Sequence, residues 1–178
     1  MSRTEVIVTA NEMDALLDRL AEAVAVRHPD PATLALVGIQ RRGADIAERL
    51  KARLDARLGA RVAFGKLDIN LYRDDWTSLA HQPSIQCTQI PFDLTTYTVV
   101  LVDDVLFTGR TIRAALEAVL DYGRPRAVEL LVLVDRGGRE LPIQPDYVGT
   151  RVTTTPKDHV NVFVTERDDS DSISVTWA

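Results

Sequence analysis

Cysteine is all but missing. Cys87 is the single one in 178 residues, so no internal disulfide can form and a cytoplasmic protein is the expectation. Long apolar runs are missing too. None approaches the ~18 residues a membrane helix needs, and Met1-Ser2-Arg3-Thr4-Glu5 is not followed by the apolar segment of a secretory signal. Positive charge is in short supply: 21 Lys and Arg face 26 Asp and Glu, a net charge of −5. That balance excludes non-specific coating of nucleic acid or anionic membrane, while leaving room for a local basic patch. The glycine-rich dinucleotide fingerprint is absent, as are repeats, low-complexity tracts and linkers.

What is present is globular. Hydrophobic residues are 46% and charged residues 26% of the chain, which excludes disorder as the dominant state. The length suits one domain over residues 1–178. A strand over residues 5–9 leads to Asn11, the expected N-cap, with Asp14 in the capping-box place. Met13, Leu16, Leu17, Leu20 and Val24 follow at helical spacing, and His28-Pro29 ends that helix. Residues 34–39 are continuously apolar, as in a strand buried on both faces. After the turn Gln40-Arg41-Arg42-Gly43, a second stripe (Ile46, Leu50, Leu54, Leu58) stops at Gly59.

Residues 62–71 read as a strand, and from 72 to 96 periodicity vanishes. So long an irregular segment implies a functional flap, at about 72–91. Residues 99–102 and 130–134 are further buried strands, separated by a helix from Gly109 to Gly123. Short strands at 147–148, 160–164 and 173–177 complete the chain. Alternating helices and buried strands predict an α/β domain whose central sheet is mainly parallel and flanked by helices. His81 and His159 read as solvated loop residues, and His28 as a cation at a helix end.

Ligands of open α/β sheets bind beyond the carboxyl ends of the strands. There lies Asp103-Asp104-Val105-Leu106-Phe107-Thr108-Gly109-Arg110-Thr111. The adjacent carboxylates suit a sugar diol or a Mg²⁺ ion held through water. Residues 108–111 enter a helix whose free N–H groups and dipole favour a phosphate, with two threonine hydroxyls as further donors. An acidic turn with an ordinary N-cap is the bland alternative. A response-regulator phosphoacceptor is another, but its acidic pair follows the first strand rather than a middle one.

VVLVDDVLFTGRT at residues 99–111 resembles the phosphoribosyl pyrophosphate (PRPP) motif of type I phosphoribosyltransferases. LVGIQRRG (36–43), LDINLYRDD (67–75) and LVDRGGRELPIQPDYVG (133–149) extend the resemblance over nearly the whole chain. They point to the family of pyrimidine-operon regulators that are also uracil phosphoribosyltransferases. The resemblance implies the type I fold with a flexible flap and a small hood. It implies conversion of uracil and PRPP to UMP and pyrophosphate, with Mg²⁺. Asp103 and Asp104 would hold the ribose hydroxyls, partly through the metal, and Val105, Leu106, Phe107, Thr108, Gly109, Arg110 and Thr111 would form the phosphate loop. Arg41 and Arg42 would meet the pyrophosphate, where arginine forks suit phosphate oxygens, and Arg73 would close over it. Arg136 and Val160 would lie on the uracil side.

Spacing alone leaves Arg41 and Arg42 as a solvated helix entrance, Arg73 as a surface ion-pair partner of Asp74 or Asp75, and Arg136 as a charged turn. The mechanism needs no nucleophilic side chain, so neither Cys87 nor the histidines are expected to act. The family also binds the leader mRNA of pyrimidine operons with uridine nucleotides as co-regulators. Residues 1–63 carry 10 basic and 9 acidic side chains, while residues 156–178 carry 2 and 5. Arg19, Arg27 and Arg41 are the expected RNA patch, extended by a symmetric partner in a homodimer or higher homo-oligomer. The chain departs from the family's usual Thr at Arg41, Tyr at Phe107 and His at Gly138. A non-catalytic RNA regulator that uses the pocket as a nucleotide sensor, and a transferase for another base, are the competing readings.

Overall fold

The computed structural model describes residues 3–73 and 88–178. The chain opens with β1 (Arg3–Val8) and α1 (Ala10–Arg27). Thr9, rather than Asn11, caps α1. Its backbone N–H and its hydroxyl both donate to the Glu12 carboxylate, at 2.7 and 2.8 Å. Thr-x-x-Glu wins over Asn-x-x-Asp because the longer glutamate reaches back across the first turn.

The apolar runs become the middle of one parallel sheet. β2 (Leu34–Ile39), β3 (Ala63–Leu67), β4 (Thr98–Leu106), β5 (Ala127–Asp135) and β6 (Tyr147–Arg151) lie in the order β3-β2-β4-β5-β6. All six residues of β2 are buried, because helices cover both faces. Side chains alternate between those faces. Leu36 and Val100 meet α1 and α2 (Arg42–Leu58) through Leu17, Leu20, Leu50 and Leu54. Val37 and Leu101 meet α3 (Arg110–Leu120) through Ile112, Ala115 and Val119. Each such leucine or valine contributes about 1.5–3 kcal/mol by leaving water. The ion pairs of Arg53 with Asp14 and Asp18 link α1 to α2 at the surface, and exposed pairs of that kind add only about 0.2–1 kcal/mol.

The strands end elsewhere than their apolar runs do. β4 continues through the acidic pair to Leu106, because Val105 and Leu106 register against Val134 and Asp135 of β5. β3 is shorter than residues 62–71: Asp68 accepts the Asn70 N–H at 2.9 Å and turns the chain into a 3₁₀ turn at Asn70–Tyr72. Residues 74–87, most of the expected flap, lie outside the described residues, together with Asp74, Asp75, His81 and Cys87.

The hood is a second, antiparallel sheet of order β1-β8-β7, built from β1, β7 (His159–Phe163) and β8 (Ser172–Trp177). His159 therefore belongs to a strand and not to a loop. One turn of helix, α4 (Thr165–Asp168), joins β7 to β8. His28 follows α1 as expected, with Nε2 2.9 Å from the carboxylate of the buried Glu129. Tyr147 donates to the same carboxylate at 2.7 Å. Burial works to raise the Glu129 carboxyl, but Tyr147 and then His28 outweigh it and hold the group below its usual range. Among the described residues, no helix is long and apolar enough to cross a membrane.

Candidate functional site

The carboxyl ends of β2, β3 and β4 open into one cavity lined by Gln40, Arg41, Arg42, Asn70, Arg73, Asp103, Asp104, Val105 and Thr111, with Ile39 and Ile69 at its floor. Six of the residues singled out from the sequence thus meet there with Val105. Asn70 and Gln40 were missed. The only signal for them was their place in LVGIQRRG and LDINLYRDD, directly after buried strands.

Asp103 is 6% exposed. Its Oδ1 accepts the Asp104 N–H at 2.9 Å, and Asp104 Oδ1 accepts the Val105 N–H at 2.8 Å. Burial first, and the neighbouring Asp104 charge second, push the Asp103 carboxyl well above the usual carboxylate range. The beginning of α2 presses against this pair. A Cβ on Gly43 would stand 2.6 Å from the Val102 oxygen and 3.1 Å from the Asp103 Cα, so only glycine lets the helix come this close. The Gln40–Arg41 peptide just before it is cis, and Arg41 is the N-cap of α2.

Val105 and Leu106 continue β4, so the loop between β4 and α3 begins at Phe107. Gly109 has φ of +93° and caps α3. Thr108 Oγ1 accepts the Arg110 N–H at 3.3 Å, and Arg110 pairs with Glu140 at 2.7 Å. The chain after β5 is moored to this loop. Glu140 and Leu141 donate their N–H groups to the Thr108 oxygen at 2.9 and 3.1 Å, Arg136 N–H to Leu106 at 3.0 Å, and Arg139 to the Phe107 oxygen at 3.0 Å.

Two arginines have partners that the sequence did not disclose. Arg136 is buried. Its guanidinium donates to the Thr154 hydroxyl and to the Thr155 and Asp158 carbonyls at 2.8–2.9 Å, and it lies 4.0 Å from the Phe107 ring centre. It is not the charged turn that spacing allowed; it fixes the backbone leading into Val160 on β7. Phe107 also fills the space beside Gly138, where a Cβ would stand 2.3 Å from its Cε2. Arg42 pairs with Asp168 of the hood at 2.8 Å.

The basic residues do not form one patch. Arg19 donates to the Gly149 carbonyl, and Arg27 pairs with Glu129 at 2.8 Å at the amino ends of the strands. Arg41 sits at the opposite edge of the sheet, about 20 Å away over a six-residue strand.

The phosphoribosyl transferase domain family model matches residues 9–170. Relatives named "Bifunctional protein PyrR" include one from Deinococcus deserti, 50% identical over 95% of this chain and 92% of its own. Another, from Elusimicrobium minutum, is 48% identical over 96% of both. In solved structures, a hypoxanthine phosphoribosyltransferase from Staphylococcus aureus shares the fold at a TM-score of 0.70 and 20% identity, covering 98% of this chain and 92% of that one. One from Trypanosoma cruzi does so at 0.74 and 19%, covering 96% and 94%. On the family model's match over most of the chain and on these identities, this chain belongs to the phosphoribosyl transferase family.

Proposed function

We propose that this protein, one phosphoribosyltransferase domain with its flap at about 72–91, transfers the phosphoribosyl group of PRPP to uracil and also regulates pyrimidine operons. In the regulatory role it binds leader mRNA with a uridine nucleotide as co-regulator. The observation that carries the transferase is the convergence of Asp103, Asp104, Arg41, Arg73 and Thr111 on one cavity. The choice of uracil rests on the resemblance of residues 67–75 and 133–149 and on the relatives' shared name.

In this reaction the bond from C1′ to the pyrophosphate oxygen breaks and its electron pair leaves with pyrophosphate. Uracil N1 bonds to C1′ and gives up its proton. An oxocarbenium-like centre develops, so positioning and charge stabilisation do the catalysis. Asp103 and Asp104 hold the ribose hydroxyls, and the N–H groups and hydroxyls of residues 108–111 cradle the 5′-phosphate. Arg41 and Arg73 face the pyrophosphate, and the chain held by Arg136 carries Val160 on the base side. Adjacent carboxylates beside an open cavity fit a hydrated Mg²⁺ shared with the substrate's oxygens. Bound there, the metal would neutralise charge on the leaving pyrophosphate.

A panel of bases offered with PRPP and Mg²⁺ tests the assignment. UMP from uracil alone supports it. A purine nucleotide would mean another base, and no product with retained UMP binding would mean a sensor.

Arg73→Ala is expected to lower turnover roughly 100-fold by misplacing the leaving group, while leaving UMP affinity near normal, since UMP has no pyrophosphate. Parallel turnover assays and UMP titrations check this. Equal losses in both would contradict the role.

For the RNA, α1 is the favoured surface, through Arg19 and Arg27. Charge reversal of Arg27 would set it against Glu129 and Asp146, so Arg27→Gln is the cleaner change. It should weaken binding to a pyrimidine-operon leader in gel shifts with UMP and spare uracil transfer. Binding should also fall steeply with salt, because an acidic protein relies on a few phosphate contacts. A leader bound equally well by the variant would remove α1 from the interface. The reading further includes a cytoplasmic location and self-association. Exposed Leu71, Leu120 and Tyr122, gathered about the Tyr72–Asp121 hydrogen bond, support an interface between copies.

A further inference from the structure

One face of α2 carries Arg42, Asp45 and Arg49, spaced three and four residues apart and so aligned along the helix. All three face the segment 166–171 of the hood. Arg42 grips Asp168 through Nη2 at 2.8 and 3.1 Å and Nε at 3.3 Å. Asp45 takes Arg167, and Arg49 takes both Glu166 and Asp171. The signs alternate along the stripe, so only one register of hood against helix pairs every charge. The Arg49 fork holds Asp171 well below the usual carboxylate range, at about 2.

The pair at the other end of the stripe differs in location. Arg42 is the first residue of α2, directly after the Gln40–Arg41 peptide, and it borders the cavity that also holds Asp103 and Asp104. Asp168 is itself anchored, since its Oδ2 accepts the Val164 N–H at 3.0 Å, and Val164 is fully buried. A rigid chain of contacts therefore runs from the core through Val164, Asp168 and the Arg42 guanidinium to the turn where pyrophosphate would dock.

We infer that Asp168 is a positioning residue for phosphoribosyl transfer: by holding Arg42 as a strut, the hood sets the orientation of the Gln40–Arg42 turn for the pyrophosphate of PRPP. This rests on the transferase reading above. Arg42 then acts through its backbone and its fixed direction, and Arg41 supplies the charge.

The experiment is titration calorimetry of PRPP with Mg²⁺, and separately of UMP, on the full chain. The variants are Asp168→Asn, Asp168→Glu and, as a control at the far end of the stripe from the cavity, Glu166→Gln. Asp168→Asn keeps an acceptor for the Val164 N–H but loses the charge. PRPP affinity is expected to fall about tenfold, or 1.4 kcal/mol, with UMP affinity changed less than twofold. Asp168→Glu restores the charge and should recover most of the loss. Glu166→Gln should lower the melting midpoint as much as Asp168→Asn does and leave PRPP affinity intact. The positioning role is overturned if Asp168→Asn leaves PRPP affinity unchanged. It is equally overturned if PRPP and UMP affinities fall together, or if Glu166→Gln matches the PRPP loss. A wild-type chain that binds UMP but no PRPP overturns the transferase reading and this role with it.

Discussion

The double substitution Asp103→Asn with Asp104→Asn is expected to lower phosphoribosyl transfer roughly 1000-fold or more, the scale set by losing preorganised charge at a developing cation. The fold should survive it. Asp103 is buried, with no arginine or lysine ion pair among the described residues, and burial together with Asp104 holds its carboxyl above the usual range. A carboxyl raised in this way favours the folded state only while protonated, so its contribution is lost as pH rises through the folded-state value. Asparagine removes that dependence. The melting midpoint at neutral pH should therefore stay level or rise while turnover collapses. Initial-rate assays and thermal melts on the same preparation separate the two effects. A variant that keeps near-normal turnover would strip the pair of its role, and one that melts early would mark it as structural.

Gly109→Val should abolish binding of PRPP and UMP together, by roughly 100-fold or more, about 2.7 kcal/mol. Position 109 holds φ at +93° where the proposed phosphate loop enters α3, a conformation that a β-branched residue resists by about 1–3 kcal/mol. A new side chain would also press on Leu141 and Ile143, each 3.4 Å from the Cβ position, and so on the chain moored to the Thr108 carbonyl. The loop must rebuild, and both ligands share the 5′-phosphate that the proposed site would cradle. Titration calorimetry with each ligand is the check. An unchanged UMP affinity would remove residues 108–111 from the phosphate site.

The central sheet was readable because its strands are buried on both faces: apolar runs at 34–39, 99–102 and 130–134 became β2, β4 and β5. Their ends were less legible. Asp103 and Asp104 look like a terminus by polarity, yet β4 runs past them because β5 offers register partners out to Asp135. The hood was partly visible as short strands, but β1 pairs with β8 across most of the chain's length, and nothing local encodes that. The site showed the same division. The acidic pair and Gly109 declare themselves by chemistry and backbone need. Arg42 and Arg136 do not, because an arginine's meaning lies in its partner: Asp168, 126 residues on, for one, and carbonyls 19 and 22 residues on for the other.

Phe107 and Gly138 occupy one volume between them. With a Cβ at position 138 only 2.3 Å from the Phe107 ring, a histidine there and the present ring position exclude each other. That ring also lies against Arg136, whose other contacts steady the chain into β7. Position 138 is therefore a gauge of the ring: any side chain placed there fits only as far as Phe107, and the Arg136 guanidinium stacked on it, give way.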